Sequence, residues 1–259
     1  MRRSDRIPAE DQVEHLRQAL DAETQRCIEI ERKLARATAE FEEFVYLAAH
    51  NLREPLRDVA AFSQLMTETY AGSLDSDAKM FLERVREGTA KAQSLLAHMV
   101  DYWSLDADAQ QSSRTDMEAV LRQALLSADK QITDRSAIVT HDRLPVVTGD
   151  FELLAKVLDH LIRNAIEYCD APSPRVHISS QRVDLDWVLS VEDNGPGIDP
   201  AFQDRVFGSF RRLHGKEHPG DGLGLAFCKK AIEQQGGRMW MESAAGSGST
   251  FYFTVAPFG

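Results

Sequence analysis

Val13, Leu20, Cys27, Leu34, Phe41 and Ala48 recur at every seventh position, and this recurrence constrains the chain more than any other feature of it. Leu16, Ile30, Ala37 and Phe44 fill most of a second seam, with Glu23 as the charged exception. No glycine or proline interrupts residues 9 to 54, so the run reads as one long helix with a narrow apolar stripe. Charged residues border that stripe on both sides. It fits a partner helix better than the globular part of its own chain, and residues 1–40 read as a coiled coil of a homodimer.

Past Ala48 the apolar spacing becomes Ala48, Leu52, Leu56, Val59, Phe62 and Met66, and the four-residue steps shift the heptad phase. Local unwinding of the helix is expected there. Gly72 closes the segment, and Asp75, Ser76 and Asp77 offer caps for a second helix carrying Phe81, Val85, Ala92, Leu95, Met99 and Trp103 on one face. Two amphipathic helices joined by a short turn cannot bury both stripes by themselves. Their duplication in a homodimer gives a four-helix bundle over residues 41–108.

A polar stretch from Asp106 to Thr115 predicts a linker, centred on residues 109–115, after which helix and strand patterns mix. Met117 to Ile132, Phe151 to Tyr168 and Leu223 to Gln235 read as helices. Val176 to Val183, Trp187 to Glu192, Met239 to Glu242 and Thr250 to Val255 read as strands. The fold class expected is therefore multidomain: a coiled coil and an antiparallel helical hairpin, then an α/β sandwich over residues 116–259.

Composition narrows the function. A formal charge of −11 excludes broad electrostatic binding of nucleic acid. Three scattered cysteines, Cys27, Cys169 and Cys228, are too few for a disulfide framework or a zinc site. Met1-Arg2-Arg3 leads into polar sequence, and no apolar stretch has the length of a membrane span. A cytoplasmic protein without direct membrane insertion is expected.

His50 is the first candidate for chemistry. With Ala48 and Leu52 both in the stripe, a step of about 100° per residue turns His50 toward water. Pro55, five residues on, removes a helix hydrogen bond at a cost of roughly 3 kcal/mol. A lone surface histidine ordinarily means nothing, and the proline beside it weighs against that reading.

The segment from Phe44 to Leu56, with His50, Asn51, Arg53, Glu54 and Pro55, closely resembles the phosphoacceptor box of sensor histidine kinases, in particular those of phytochrome-like proteins. The resemblance implies that His50 takes a phosphoryl group from ATP and passes it to an aspartate of a response regulator receiver domain. The family usually carries Asp or Glu after the histidine. Here Asn51 can hold the ring by a hydrogen bond but cannot act as a base, and Glu54, one helical turn on, offers a carboxylate instead.

The carboxy-terminal half resembles the ATP-binding domain of the same proteins, the ATPase superfamily shared with gyrase, mismatch-repair and chaperone ATPases. Asn164, in the run His160 to Ala165, matches the asparagine that coordinates magnesium between the phosphates. His160 stands where a first asparagine is usual, and Glu167 replaces a frequent lysine, which predicts altered ATP affinity. Asp193 follows a strand-like run and is placed to accept the adenine amino group, while Gly195 and Gly197 permit close approach. Phe202 to His214 resembles the phenylalanine-rich box beside a mobile lid; it includes Phe210, and Arg211 or Arg212 either reaches the γ-phosphate or is a solvated basic pair. Gly220, Gly222 and Gly224 precede a helix whose free amides can face phosphate. The resemblance also implies Tyr168, Ile198, Leu223, Leu225 and Thr250 around the nucleotide, which is ATP with Mg2+.

The function expected is a dimeric histidine kinase with a receiver-domain partner and an upstream input that these residues do not identify. A gyrase-like, mismatch-repair or chaperone ATPase shares the nucleotide fold but is disfavoured by the His50 box and the bundle helices, and two further readings stand beside these. One is a noncatalytic dimeric adaptor that binds a receiver domain, for which Asn51, His160 and Glu167 speak; the other is a redox-responsive dimer with Cys27 on the seam.

Overall fold

A computed structural model of the chain describes residues 9–105, 113–208 and 222–258. The chain divides into two compact units, Met1–His50 and Asn51–Gly259. Helix α1 spans Ala9–Thr69. In the first unit its seam residues are open to solvent: Leu20, Ile30 and Leu34 are 67%, 63% and 66% exposed. Ion pairs Glu29–Lys33 at 2.7 Å and Arg36–Glu40 at 2.8 Å brace the polar side one turn apart. Val45 and Ala49 are buried.

The expected unwinding near Pro55 does not occur; α1 runs through it as continuous helix to Thr69. The ring deletes a single N–H, the one that would serve the Asn51 carbonyl, and the hydrogen bonds on either side hold the helix. A turn at Tyr70 to Ser73 leads to α2, Ser76–Ser104, capped by Asp75 Oδ1, which accepts the Ala78 N–H at 2.8 Å. In the second unit the buried side chains of the two helices are the small polar Ser63 and Thr89, whereas Phe62 and Phe81 are 65% and 62% exposed. Val59, Met66 and Val85 are exposed with them.

Strands β1 (Ser113–Asp116), β2 (Ile138–His141), β3 (Val146–Gly149), β4 (Arg175–Val183), β5 (Asp186–Asp193), β6 (Met239–Ser243) and β7 (Ser249–Pro257) form one sheet. Its order is β1-β3-β7-β5-β4-β2, with β6 pairing β7, and only β2 against β4 is parallel. The linker expected over 109–115 is thus shorter: Ser113, Arg114 and Thr115 pair with Gly149, Thr148 and Val147 of β3. Four residues are too few to display alternation, which is why β1, β2 and β3 escape a reading by periodicity.

Helices α3 (Met117–Asp134), α4 (Phe151–Glu167) and α5 (Gly224–Gln234) cover one face of the sheet. The amphipathic stripe of α4 explains its place: Leu154, Leu158, Leu161, Ile162 and Ile166 are fully buried, at 0% exposure. They meet Val176, Ile178, Leu189, Val191, Phe251 and Phe253, the alternate residues of β4, β5 and β7. Asp150 fixes the start of α4 by accepting the Leu153 N–H at 2.9 Å. Leu105, just past α2, is buried in this same core.

Leu158→Ala removes a fully buried side chain and is expected to cost about 2–5 kcal/mol in urea unfolding. Leu126→Ala, at a residue 73% exposed on α3, is expected to change stability by no more than about 0.5 kcal/mol.

Candidate functional site

Asp193 ends β5, where the strand delivers its carboxylate to the helix-covered side of the sheet, the side of Val191. Asp193 Oδ1 accepts two backbone N–H groups, from Gly195 at 2.8 Å and Ser249 at 3.2 Å. Burial raises the Asp193 carboxyl above the usual carboxylate range; the Gly195 and Ser249 N–H groups oppose this, and the neighbouring charge of Glu192 adds to it. The result is a fixed acceptor in a partly dehydrated place.

The glycines around it are there because nothing larger fits. A Cβ on Gly195 would stand 2.9 Å from Asp193 Oδ1. Gly197 has φ +72°, and its Cβ would stand 2.0 Å from the Ala244 carbonyl oxygen. Gly248 has φ +78°, and its Cβ would stand 2.0 Å from the Asp193 carbonyl oxygen. Ser243 ties the two loops: its Oγ accepts the Ile198 N–H at 2.7 Å and donates to the Gly248 carbonyl at 2.7 Å. Neither Ser243 nor Ser249 is among the residues expected from sequence.

Asn164 and Tyr168 lie one turn apart at the end of α4, with the Tyr168 N–H on the Asn164 carbonyl at 3.1 Å. The Tyr168 carbonyl is 3.7 Å from the Cβ position of Gly195, so the end of α4 abuts the Asp193 turn. The Asn164 side chain is half-buried and makes no hydrogen bond among the described residues. Asn194 is committed to structure: its Oδ1 accepts the Arg175 N–H at 2.7 Å and lies 3.3 Å from Cys169 Sγ. Glu167 lines a groove between α3 and α4 together with Lys130, Arg135 and Arg163.

Gly222 takes φ +73°, Leu223 is fully buried, and Gly224 opens α5 with Leu225 packed on the core. Among the described residues no side-chain hydrogen bond caps this helix start. Phe210, Arg211, Arg212 and Gly220 lie outside the described residues. Thr250 departs from expectation. Strand alternation puts Ser249 and Phe251 on the covered face, while Thr250 pairs with Glu192 and shares the open face with Tyr252. Ser249 is the residue whose N–H reaches Asp193.

His50, Asn51 and Glu54 are each exposed on α1. The buried neighbour of His50 is Ala49 rather than Leu52, which is 50% exposed. Among the described residues no group of three or more His, Cys, Asp or Glu side chains is arranged to hold a metal ion, and no helix is long and apolar enough to cross a membrane.

Residues 149–258 match the family described as histidine kinase-, DNA gyrase B-, and HSP90-like ATPase. Over 223 residues the chain is 42% identical to cyanobacterial phytochrome A of Nostoc sp., a match covering 86% of this chain and 29% of that protein. Among solved structures, full-length ShkA in complex with AMPPNP superposes with a TM-score of 0.64 at 24% identity, over 84% of this chain and 46% of that one. Histidine kinase ThkA in complex with response regulator protein TrrA gives a TM-score of 0.56 at 17% identity, over 86% and 65% of the two chains. The last two show a shared fold. The sheet, its helices and the Asp193 turn thus make an ATPase domain of the histidine kinase, gyrase and HSP90 class. Residues 149–258 belong to that ATPase family, and over most of its length the chain is similar to phytochrome-like proteins and sensor histidine kinases.

Gly246→Ala and Gly248→Ala separate backbone strain from collision. Gly246 has φ +82° with nothing within 4 Å of its Cβ position, so alanine there is expected to cost only about 1 kcal/mol. Gly248→Ala adds the collision with the Asp193 carbonyl, and urea unfolding should show a further loss of about 1–3 kcal/mol.

Proposed function

We propose that this chain binds ATP with Mg2+ in its carboxy-terminal domain, phosphorylates His50, and passes the phosphoryl group to an aspartate of a receiver domain. The observation that carries the reading is the Asp193 carboxylate, held by the Gly195 and Ser249 N–H groups and able to accept the adenine amino group on its remaining lone pairs. The match of residues 149–258 to the histidine kinase-like ATPases and the similarity to the methanogenesis regulatory histidine kinase FilI of Methanothrix harundinacea, at 30% identity over 84% of this chain, support it.

In this reading Tyr168, Ile198, Gly195 and Gly197 border the base, and the turn of Leu223, Gly224 and Leu225 directs the positive N-terminal end of α5 at the phosphates. Asn164, half-buried at the end of α4, would hold magnesium through its neutral amide oxygen, and the ion when bound would neutralise charge on the phosphates. An imidazole nitrogen of His50 forms the bond to the terminal phosphorus as the bond to the ADP oxygen breaks; its exposure on α1 leaves it open to that approach. Asn51 orients the ring, and Glu54 takes up the imidazole proton.

The homodimer is part of the proposal. The seam of Leu20, Cys27 and Leu34, and the exposed Val59, Phe62, Met66, Phe81 and Val85, are apolar surface that a second copy covers. Residues 1–40 then form the coiled coil that brings the signal, 41–108 the dimerising and phosphoaccepting part, and 116–259, with β1 joined to it, the ATP-binding part.

Incubation with γ-labelled ATP is expected to give acid-labile label on the wild-type chain and none on His50→Gln. Nucleotide binding with no label on the wild type would instead support the adaptor reading. Acidity gives a second check. Because burial lifts the Asp193 carboxyl above the usual range, ATP affinity should fall at a higher pH on acidification than an ordinary carboxylate would produce, and Asp193→Asn should bind weakly with this limb of the profile absent.

A further inference from the structure

The end of α2 is seated on the ATP-binding domain through several chemically different contacts. Lys156 Nζ of α4 lies 2.6 Å from Asp101 Oδ1. Lys230 Nζ of α5 sits 4.8 Å from the Tyr102 ring centre and donates to the Tyr102 carbonyl at 3.3 Å. Gln234 Nε2 donates to the Leu105 carbonyl, and Leu105 is 3% exposed. One turn earlier the contact is between two rings: His98 of α2 meets His160 of α4 edge to face, with centroids 4.8 Å apart and planes at 65°.

His160 is held on its other sides by α5. Its ring centroid is 5.0 Å from that of Phe227, and its Nδ1 is 3.2 Å from the Cβ position of Gly224, the first residue of α5. Asp159 and Arg163 flank this joint, with Arg163 Nε on both Asp159 carboxylate oxygens at 2.8 and 2.9 Å. One imidazole therefore touches the α2 helix on one side and the start of α5 on the other. A side chain wedged between two elements passes a displacement of either to the other, because close-packed interiors do not absorb it.

We propose that His98 is a positioning residue for the nucleotide: by bracing the His160 ring against Gly224 it couples the seating of α2 to the phosphate-facing turn of α5. The inference rests on the reading of the α5 N-terminus as the phosphate cradle. Coupling of this kind is reciprocal, so nucleotide in the cradle tightens the α2 contact by the factor by which the α2 contact tightens nucleotide.

The test uses the full chain and AMPPNP with magnesium chloride, measured by calorimetry. His98→Ala is expected to raise Kd by about fivefold or more. His98→Phe keeps an aromatic edge and should stay within about twofold of wild type. In a His160→Ala background, His98→Ala should change Kd no further, the signature of two residues acting as one unit. Hydrogen exchange should show AMPPNP protecting amides 98–104 in wild type but not in His98→Ala. A wild-type Kd in His98→Ala overturns the proposal, and so do additive losses in the double variant or an affinity that falls in step with melting temperature in every variant, His98→Phe included. A wild-type chain that fails to bind AMPPNP overturns the nucleotide reading and this inference with it, whereas binding with any of the preceding results overturns the inference alone.

Discussion

The two backbone N–H groups on Asp193 Oδ1 are what the architecture of the ATP-binding domain depends on. One comes from two residues ahead and the other from the start of β7, 56 residues along the chain. To bring them together, β5 and β7 must pair in one register, with Glu192 opposite Thr250. Gly248 must also lie against the Asp193 carbonyl at a distance no side chain permits. Ser243 on β6 closes the arrangement by bonding to the loops on both sides of the turn. A carboxylate fixed in this way loses little conformational freedom on meeting a ligand, and its partial dehydration strengthens whatever hydrogen bond it then accepts.

The same domain fastens the end of α2. Leu105 shares the core of the sheet and helices, and the contacts of Asp101 and Tyr102 with Lys156 and Lys230 hold the turn before it. With the His98–His160 ring contact one turn earlier, polar, aromatic and apolar contacts together seat α2 on α4 and α5. Further along, the large apolar side chains of α1 and α2 face outward and the small hydroxyl residues Ser63 and Thr89 face inward. This is the apolar surface that the proposed homodimer covers.

Much of this was legible in the sequence, and the exceptions have physical causes. Long periodic runs declared themselves: α3, α4, β4, β5 and β7 lie within a residue or two of their expected bounds. Asp193 could be recognised because a strand pattern ends at it and glycines follow. The short strands β1, β2 and β3 could not, since four residues carry no period, and the parallel pairing of β2 with β4 joins segments far apart in sequence. Ser243 and Ser249 act through a hydroxyl and a backbone N–H across long separations, so their composition gives no signal. The alternation Ser249, Phe251, Phe253, Val255 does assign Ser249 to the covered face, and it is the signal that separates Ser249 from Thr250. Pro55 misled in the opposite direction, because a missing hydrogen bond in a helix of this length is outweighed by the intact ones on either side.

That the pinned carboxylate reads the exocyclic amino group of adenine is tested most directly by comparing ATP with inosine triphosphate, which carries a carbonyl oxygen in place of that group. Calorimetric titration of the full chain with each nucleotide, in the same magnesium buffer, should show the inosine form weaker by about tenfold or more, because a donor to an anionic acceptor is exchanged for a repelling oxygen. Equal affinity for the two nucleotides would contradict the account.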